Sequence, residues 1–369
     1  MNILQLGKFY PVRGGVEKVM YDLMLGLSEQ QIFCDMLCAA TEDQPAGNIV
    51  LNKFAKIIVV RTRFKLAATM IAPGMVRKLR KIADQYDIIH IHHPDPMACL
   101  ALRMSGYKGK VVVHWHSDIV KQKALLQLYR PLQDWLIKRA NLIVGTSPVY
   151  VRESPFLTTV QLKVNYIPIG VLPVVAEEGK VTKIRSKYPG KRIVFSLGRL
   201  VEYKGYEYLI RAAEKLDSSY QIVIGGKGPL KDSLTELIQQ LGVGDKVHLA
   251  GFISDDELPA YYEACDVFCL SSIQKTEAFA IVQIEAMSCG KPVISTDIPG
   301  SGVSWVNKDE VSGLVVDIED AGQLAYAIGE VCEDSELLTK LQKGSKERYE
   351  TMFTRLSMIK RCIRLYRQL

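Results

Sequence analysis

The chain has 369 residues, of which 48% are hydrophobic and 24% charged, and its formal net charge is +7. This length exceeds what one hydrophobic core usually holds, and the composition is typical of a globular protein rather than a disordered or fibrous one. No window approaches the roughly 20 apolar residues of a membrane-spanning helix, and the N-terminus lacks a signal region, so we expect a two-domain cytoplasmic protein.

The charge is distributed unevenly along the chain. Residues 1–170 carry 22 Lys and Arg against 12 Asp and Glu, whereas residues 171–352 carry 20 against 28. The last seventeen residues carry five bases and no acid. A basic half followed by an acidic half indicates that the two halves have different partners.

The eight cysteines show no disulfide-like regularity. Cys34 and Cys38, like Cys265 and Cys269, fall in apolar, strand-like runs. We therefore interpret them as buried reduced thiols rather than zinc ligands, which agrees with a reducing compartment.

The first half alternates strand-like and helix-like segments. Buried strands are predicted at residues 2–6, 32–39, 57–60, 87–91, 110–115 and 141–144, and helices at residues 16–29, 67–85, 96–105 and 121–140. This alternation is typical of a parallel, doubly wound sheet. In such sheets ligands bind beyond the carboxyl ends of the strands.

One candidate ligand loop, Arg13-Gly14-Gly15, follows the first strand. Its glycines let the backbone approach a ligand, and the next helix offers its N-terminal amides. An ordinary glycine turn is the alternative, because the loop does not match G-x-G-x-x-G.

Histidines mark the ends of two further strands. Five of the six fall within 27 residues: His90, His92, His93, His114 and His116. A metal site is one interpretation, but no carboxylate or thiol completes a ligand set at the usual spacing. We favour contact of His116 and Asp118 with a polar substrate.

Two stretches, residues 61–82 and 120–140, mix Lys and Arg with Leu, Met and Tyr. Interfacial helices that face anionic lipid have this composition. Each stretch alone fits a solvated helix packed on the sheet better, but together they predict peripheral contact with the inner face of a membrane. Nucleic acid is not an expected partner, because the aromatic and basic modules that read it are absent.

The alternation restarts in the second half. Residues 171–183 have the pattern of a linker, and strands are predicted at 192–197, 220–225, 246–249, 266–270, 292–295 and 313–316. We therefore predict one domain over residues 1–170 and another over 171–352. A basic helix over 353–369 can cross back to the first domain. Two doubly wound domains with a joint between them indicate an enzyme with a cleft.

The loops after these strands contain cations and glycines. Residues 198–205 include Arg199 and Lys204, whose forked and mobile cations suit a diphosphate, although surface salt bridges are the alternative. Residues 225–229 form a second glycine loop, and Phe252 offers a surface for a flat base.

The stretch from Ser271 to Gly290 carries two glutamates eight residues apart. We interpret Glu277 as the start of a helix that carries Glu285 two turns later on the same face. The free amides of Ala278, Phe279 and Ala280 then lie at the helix N-terminus, where phosphates and sugar hydroxyls bind readily. A charged first turn and one buried, paired acid are the alternative, and the spacing does not decide between them.

Taken in order, these motifs closely resemble glycosyltransferase family 4, the retaining nucleotide-sugar transferases of the GT-B fold. The resemblance covers essentially the whole chain. It rests on Gly14-Gly15-Val16-Glu17, His114–Asp118, Asn165–Gly170, Gly198-Arg199-Leu200 with Lys204-Gly205, Gly225 with Gly228-Pro229, Gly251-Phe252, and Glu277 with Glu285-Ala286-Met287 and Gly290–Val293. Within the family, HHPDP and VVVHWHSDIVKQK are most similar to bacterial mannosyl and rhamnosyl transferases of surface polysaccharide assembly. The family often has glycine where Ala278 and Ala280 stand.

The resemblance implies a role for each candidate residue. Arg199 and Lys204 neutralise the diphosphate leaving group, and the Gly14-Gly15 loop donates an amide to it across the cleft. Glu285 holds the ribose hydroxyls, and His116 contacts the donor sugar near the acceptor. Glu277 and the backbone amides that follow it hold the donor sugar and the distal phosphate; these amides belong to Ala278, Phe279, Ala280 and Ile281.

The resemblance also implies the reaction. A hexose, with mannose favoured, moves from a nucleotide diphosphate sugar such as GDP-mannose to a saccharide or lipid-linked saccharide acceptor, with retention of configuration. No metal or other cofactor is required, because two cations and helix dipoles stabilise the leaving phosphate. A nucleotide-sugar epimerase of similar two-domain shape is the nearest alternative. A dinucleotide-dependent oxidoreductase and a non-catalytic sugar-nucleotide-binding protein are less favoured.

Overall fold

The computed structural model describes residues 1–12, 14–41, 44–66, 69–119 and 123–369, except for the side chains of residues 123–126. The chain forms two compact units. Unit 1 comprises Met1–Gly170 and Arg355–Leu369, and unit 2 comprises Val171–Thr354. The second unit therefore ends at Thr354 rather than at residue 352.

The described part of unit 1 is built on an eight-stranded sheet. Its strands are β1 (Asn2–Tyr10), β2 (Phe33–Ala40), β3 (Gly47–Asn52) and β4 (Ala55–Val60), then, after the short antiparallel pair β5 (Phe64–Leu66) and β6 (Thr69–Ile71), β7 (Ile88–His93), β8 (Lys110–Trp115), β9 (Leu142–Gly145) and β10 (Val164–Tyr166). The order across the sheet is β10-β9-β8-β7-β1-β2-β4-β3. Within the part of this sheet that the structure describes, β3 alone runs antiparallel to its neighbour.

Helices alternate with these strands. They are α1 (Gly15–Glu29), α2 (Gly74–Ile82), α3 (Pro96–Ser105), α4 (Lys123–Arg139) and α5 (Pro148–Arg152). Local chemistry explains where two of them begin. Asp95 accepts a hydrogen bond from the Ala98 amide and Ser147 accepts one from Tyr150, and a proline opens each helix.

Unit 2 contains a fully parallel, six-stranded sheet in the order β13-β12-β11-β14-β15-β16. Its strands are β11 (Arg192–Leu197), β12 (Tyr220–Gly225), β13 (Val247–Gly251), β14 (Val267–Leu270), β15 (Val293–Thr296) and β16 (Gly313–Val316). Its helices are α6 (Glu178–Lys187), α7 (Tyr206–Ala212), α8 (Lys231–Gln240), α9 (Leu258–Ala264), α10 (Ile281–Ser288), α11 (Val303–Val306), α12 (Ala321–Glu333) and α13 (Ser335–Arg348). Fully buried Val194, Ile222 and Leu324 belong to its core.

The last helix, α14 (Arg355–Tyr366), belongs to unit 1 and packs on α1. Gly26 makes this approach possible, because any Cβ at this position would collide with Ile359. Arg355 donates two hydrogen bonds to the Glu29 carboxylate, 2.6 and 2.8 Å long. Tyr366 forms a hydrogen bond with Nδ1 of His90.

Two predicted segments were wrong. The helix predicted from residue 67 starts only at Gly74, because Pro73-Gly74 interrupts the pattern and Thr69–Ile71 forms a strand. The predicted linker becomes α6 at Glu178, a helix that buries only Ile184 and therefore shows no apolar periodicity.

The predicted class of two doubly wound, parallel-sheet domains is confirmed. Strands β3 and β10 were missed; alternate residues of β3 are exposed at the sheet edge, and β10 has only three residues. All eight cysteines are free thiols. Among the described residues, no helix is long and apolar enough to cross a membrane.

Candidate active site

Three loops meet at the carboxyl edge of the sheet in unit 2, where the strands end. They follow β11, β12 and β14, and β11 lies between the other two strands. A Cβ at Gly226 would collide with the Gly198 carbonyl, and one at Gly228 would collide with that of Leu200. These glycines therefore allow two loops to pack backbone against backbone, which frames the segment that carries Arg199.

Lys204 and Glu277 form a buried ion pair between two of these loops. Nζ of Lys204 lies 2.5 Å from Oε2 of Glu277, and the two side chains are only 9% and 12% exposed. Ser272 Oγ donates to the same carboxylate oxygen at 3.2 Å. Burial is the largest single influence on Lys204 and lowers its pKa, but the Glu277 carboxylate together with Tyr206 and Tyr203 more than offsets it, so the pKa of Lys204 is raised above its usual value. The ammonium group therefore stays protonated.

The ion pair leaves donors available on Lys204. An ammonium group has three N–H donors. In the part of the chain that the structure describes, Glu277 is the only hydrogen-bond partner of Nζ. Arg199 lies earlier in the same loop and is exposed. The loop thus presents two cations on one strand end, an arrangement that can bind an anion.

The helix interpretation of Glu277 was wrong. Helix α10 begins at Ile281, and Glu277 lies in the preceding loop, where its amide donates to Gln274. Ala280 joins loop and helix with φ of +59°, a left-handed conformation that favours glycine. The eight-residue spacing of the two glutamates therefore does not measure two turns of one helix.

The backbone amides between the two glutamates are available as donors. Among the described residues, none accepts a hydrogen bond from the amides of Ala278, Phe279, Ala280 or Ile281. No side chain caps the helix start either. This run of amides can bind an anion or a hydroxyl oxygen.

Glu285 lies on α10 and is oriented by a tyrosine that the sequence reasoning missed. The Tyr262 hydroxyl donates to Oε2 of Glu285 at 2.8 Å. Burial, together with the Glu285 carboxylate, raises the pKa of Tyr262 well above its usual value, so the hydroxyl remains a donor. Tyr262 sits in α9, and nothing in its local sequence distinguishes it from a core aromatic residue.

Phe252 follows β13 and is 66% exposed. Nζ of Lys227 lies 5.0 Å from the centroid of its ring, within the range of a cation–π contact. An exposed ring at the end of a strand is a suitable surface for stacking a flat group.

Gly14 and Gly15 lie at the start of α1 in unit 1. Gly14 is extended, and its carbonyl accepts the Lys18 amide at 3.0 Å. The Glu17 side chain lies against Gly14, so a Cβ there would collide with it. Among the side chains that the structure describes, none caps this helix. Arg13, the first residue of the predicted loop, lies outside the described residues.

The five histidines are all buried in unit 1. Parallel pairing of β7 with β8 sets His92 opposite His114, and His116 follows β8. Burial is the main reason that their pKa values are lowered, to about 3 for His93 and His114 and well below the usual 6.5 for the others. The imidazoles are therefore neutral at pH 7.

Three of these rings offer nitrogens within 4.8 Å of one another, those of His92, His114 and His116. The ring of His114 is nevertheless stacked on that of His116, with centroids 4.1 Å apart and planes 10° from parallel. Lone pairs of stacked rings lie in separate parallel planes and do not converge on an ion about 2 Å from each nitrogen. The present arrangement therefore does not fit a bound metal.

Asp118 has a structural role. Its Oδ1 accepts hydrogen bonds from Trp115 at 2.8 Å and Ser154 at 2.7 Å, and its amide donates to the Tyr150 hydroxyl. These contacts brace the loop after β8, so the substrate contact expected of Asp118 is not what this geometry favours.

Lys8 lies near the histidines and was not singled out from the sequence. Its Nζ donates to the Pro94 carbonyl at 2.6 Å, and its amide donates to Asp95. Burial lowers the pKa of Lys8, although Asp95 and Glu17 act in the opposite direction. Lys8 follows the buried strand predicted at residues 2–6, and this position at a strand end could have identified it as a candidate site residue.

Comparisons with known proteins agree with this architecture. The family model described as Glycosyltransferase Family 4 matches residues 13–171, and that described as Glycosyl transferases group 1 matches residues 179–348. The chain is 32% identical to the O-antigen chain mannosyltransferase C of Escherichia coli, over 99% of this chain and 98% of the relative. It is 29% identical to the D-rhamnosyltransferase WbpZ of Pseudomonas aeruginosa, over 96% and 92% of the two chains.

A solved structure, that of Anabaena HepE in complex with UDP, matches all of both chains with a TM-score of 0.81 at 20% identity. The chain therefore belongs to the family 4 glycosyltransferases and has the GT-B fold. It is an enzyme, and the resemblance read from its motifs is confirmed. The epimerase alternative is not favoured.

Proposed function

We propose that the chain is a retaining hexosyltransferase of surface polysaccharide synthesis. It transfers a sugar, with mannose favoured, from a nucleotide diphosphate sugar to a saccharide or lipid-linked saccharide acceptor. The observation that carries this proposal is the buried pair of Lys204 and Glu277 at the carboxyl edge of the sheet in unit 2. The name of the Escherichia coli relative supports mannose and a polysaccharide acceptor. GDP-mannose is the favoured donor, and a UDP-hexose is the alternative.

Lys204 and Arg199 stabilise the departing diphosphate in this mechanism. As the bond between sugar and phosphate lengthens, negative charge accumulates on the phosphate, and the remaining N–H donors of Lys204 and the fork of Arg199 can bind it. Loss of one such contact costs about 2–4 kcal/mol at the transition state, or roughly 30- to 1000-fold in rate. No metal is needed for this step.

The remaining residues hold the donor. Glu277 accepts hydrogen bonds from sugar hydroxyls while it keeps Lys204 in place, and the amides of residues 278–281 bind the sugar and distal phosphate. Glu285 binds the ribose hydroxyls, and Phe252 stacks on the base. In unit 1, the Gly14-Gly15 backbone contacts the diphosphate and His116 contacts the sugar. The acceptor attacks on the face from which the phosphate departs, and a phosphate oxygen takes its proton.

Lys204→Ala tests the proposal against a matched control, Lys291→Ala. Lys291 is also largely buried in unit 2 and lies 3.8 Å from its own glutamate, Glu263. A panel of nucleotide sugars in a thermal-shift assay identifies the donor, because a bound donor raises Tm by mass action. We expect Lys204→Ala to abolish the donor-dependent rise in Tm and to lower the transfer rate at least 30-fold. Lys291→Ala should keep both the rise in Tm and the transfer rate. A near-wild-type rate for Lys204→Ala contradicts the proposal.

Three further measurements test parts of the proposal. NMR of the product reports whether the anomeric configuration is retained. Incubation with the donor alone distinguishes transfer from epimerisation, because only an epimerase converts the nucleotide sugar without an acceptor. Unchanged activity in EDTA is expected if the two cations replace a metal.

We also propose that unit 1 contacts an anionic membrane on its cytoplasmic side. The hairpin of β5 and β6 exposes Phe64 (51%) and Leu66 (55%) beside exposed Lys65, and α4 exposes Leu128 (82%). Apolar tips next to cations are typical of interfacial binding. Flotation with anionic and neutral liposomes tests this, with Phe64→Ser as the variant expected to weaken binding; equal flotation with both lipids refutes it.

A further inference from the structure

A chain of buried hydrogen bonds ends at His116. Nε2 of His92 lies 2.7 Å from Oε1 of Gln5, and Nδ1 of His92 lies 2.9 Å from Nε2 of His116. Gln5 and His92 are fully buried, and His116 is 5% exposed. Strands β1 and β7 supply the first two members, and His116 directly follows β8.

This series of hydrogen bonds allows one arrangement of protons when the rings of His92 and His116 are both neutral. The amide oxygen of Gln5 can only accept, so Nε2 of His92 carries the hydrogen. A neutral imidazole has one N–H, so Nδ1 of His92 must accept. His116 then has to donate from Nε2, and its Nδ1 keeps a lone pair.

The surroundings preserve this arrangement. Burial, reinforced by neighbouring histidines and by Lys8, lowers the pKa of both rings far below 6.5, so neither is protonated at pH 7. The stacked ring of His114, 4.1 Å away, holds the plane of the His116 ring. Within the described part of the chain, Nδ1 of His116 has no hydrogen-bond partner.

We infer that Gln5, acting through His92, sets the tautomer of His116, so that Nδ1 is presented as an acceptor for a sugar hydroxyl. Gln5 and His92 are positioning residues in this scheme. The benefit for transfer rests on the proposed function, because it requires that His116 contact the donor sugar. The tautomer itself is a property of unit 1 and can be measured without any substrate.

NMR of the full chain labelled with ¹⁵N-histidine tests the inference. Long-range ¹H–¹⁵N correlations distinguish the two neutral tautomers, and His116→Gln identifies the signals of His116. The wild type should show His116 protonated at Nε2 and unprotonated at Nδ1.

The decisive variant is Gln5→Met, which replaces the amide and its acceptor oxygen with an apolar side chain of similar length. Its matched control is Gln133→Met. Gln133 is also fully buried, and its Oε1 lies 3.3 Å from Nε2 of His93, on the same strand as His92 but outside the chain of bonds. Thermal unfolding of both variants checks that each is folded.

We expect the His116 signals to become those of a tautomer mixture in Gln5→Met and to stay unchanged in Gln133→Met. Because one hydrogen-bond constraint is lost, kcat should fall about tenfold in Gln5→Met only. Protonation of wild-type His116 at Nδ1, which the opposite orientation of the Gln5 amide would produce, overturns the inference, as does an unchanged His116 spectrum in Gln5→Met. A changed tautomer with unchanged kcat supports the inference and instead refutes the role proposed for His116 in transfer.

Discussion

Lys204 and Glu277 should be energetically coupled. Removing either partner alone should destabilise unit 2 by more than half of what removing both partners costs. The side chains are 9% and 12% exposed and the charged atoms are 2.5 Å apart, so neither charge is well solvated alone. Glu277→Gln keeps the shape and an acceptor oxygen but leaves the ammonium of Lys204 without a counter-charge. Lys204→Met leaves the Glu277 carboxylate with the hydrogen bond that the Ser272 hydroxyl donates to it.

The magnitude follows from the burial of the pair. Breaking a buried ion pair by removing one partner costs roughly 3–5 kcal/mol. In Glu277→Gln the retained amide oxygen offsets part of this cost, and in Lys204→Met the Ser272 hydroxyl does so. We therefore expect each single variant to lose about 3 kcal/mol of unfolding free energy. The double variant removes both charges of the pair, and its loss of stability should be smaller than the sum of the two single losses by about 2 kcal/mol.

Urea unfolding of the wild type, both single variants and the double variant measures this coupling. Hydrogen exchange on peptides from residues 271–290 shows whether the loss is in unit 2. The pH dependence gives a second check. Because the pKa of Lys204 is raised above its unfolded value of 10.5, the contribution of the pair is complete below pH 10.5 and declines as the pH rises further. Additive losses, agreeing within about 0.5 kcal/mol, would refute the reasoning.

Three other predictions concern single positions. Ala280→Gly should stabilise the protein by about 0.5–1 kcal/mol in urea unfolding, because glycine adopts the positive φ of this position without strain. Ala278 does not have a positive φ, so Ala278→Gly should destabilise the protein. Equal effects of the two substitutions would contradict this explanation. Tyr262→Phe should raise KM for the donor about tenfold with little change in kcat, because Glu285 loses its hydroxyl donor; an unchanged KM argues against ribose binding by Glu285. The native pKa of His114 is about 3, so the unfolded state takes up a proton near pH 6.5 that the native state does not, and stability falls as the pH falls below that value. His114→Leu removes this titrating group, so the slope of unfolding free energy against pH below pH 6 should become smaller by about 1.4 kcal/mol per pH unit. An unchanged slope would refute the prediction for His114.

Much of the sheet architecture could be predicted from the residues. Strands buried on both faces of a parallel sheet read as short apolar runs, and those at residues 192–197 and 220–225 were predicted with their observed bounds. The glycine-framed loop with Arg199 and Lys204 followed from its position at a strand end. The order of such motifs along the chain then indicated the family.

The pairings inside the site could not be predicted in the same way. Lys204 contacts Glu277 only because β14 lies next to β11, and strand order is a tertiary property. The spacing of Glu277 and Glu285 matched a helical period by coincidence, since a left-handed turn at Ala280 separates loop from helix. The bond between Tyr262 and Glu285 likewise depends on how α9 and α10 pack.

The position of α14 has a consequence for how the protein is made. This helix covers α1 at Gly26, and Tyr366 reaches His90 in the middle of unit 1. The ribosome synthesises all of unit 2 before it reaches Arg355. During synthesis, the unit begun first therefore remains uncovered at this face while the later one can already fold. Completion of the two units should thus occur in the reverse of their order of translation.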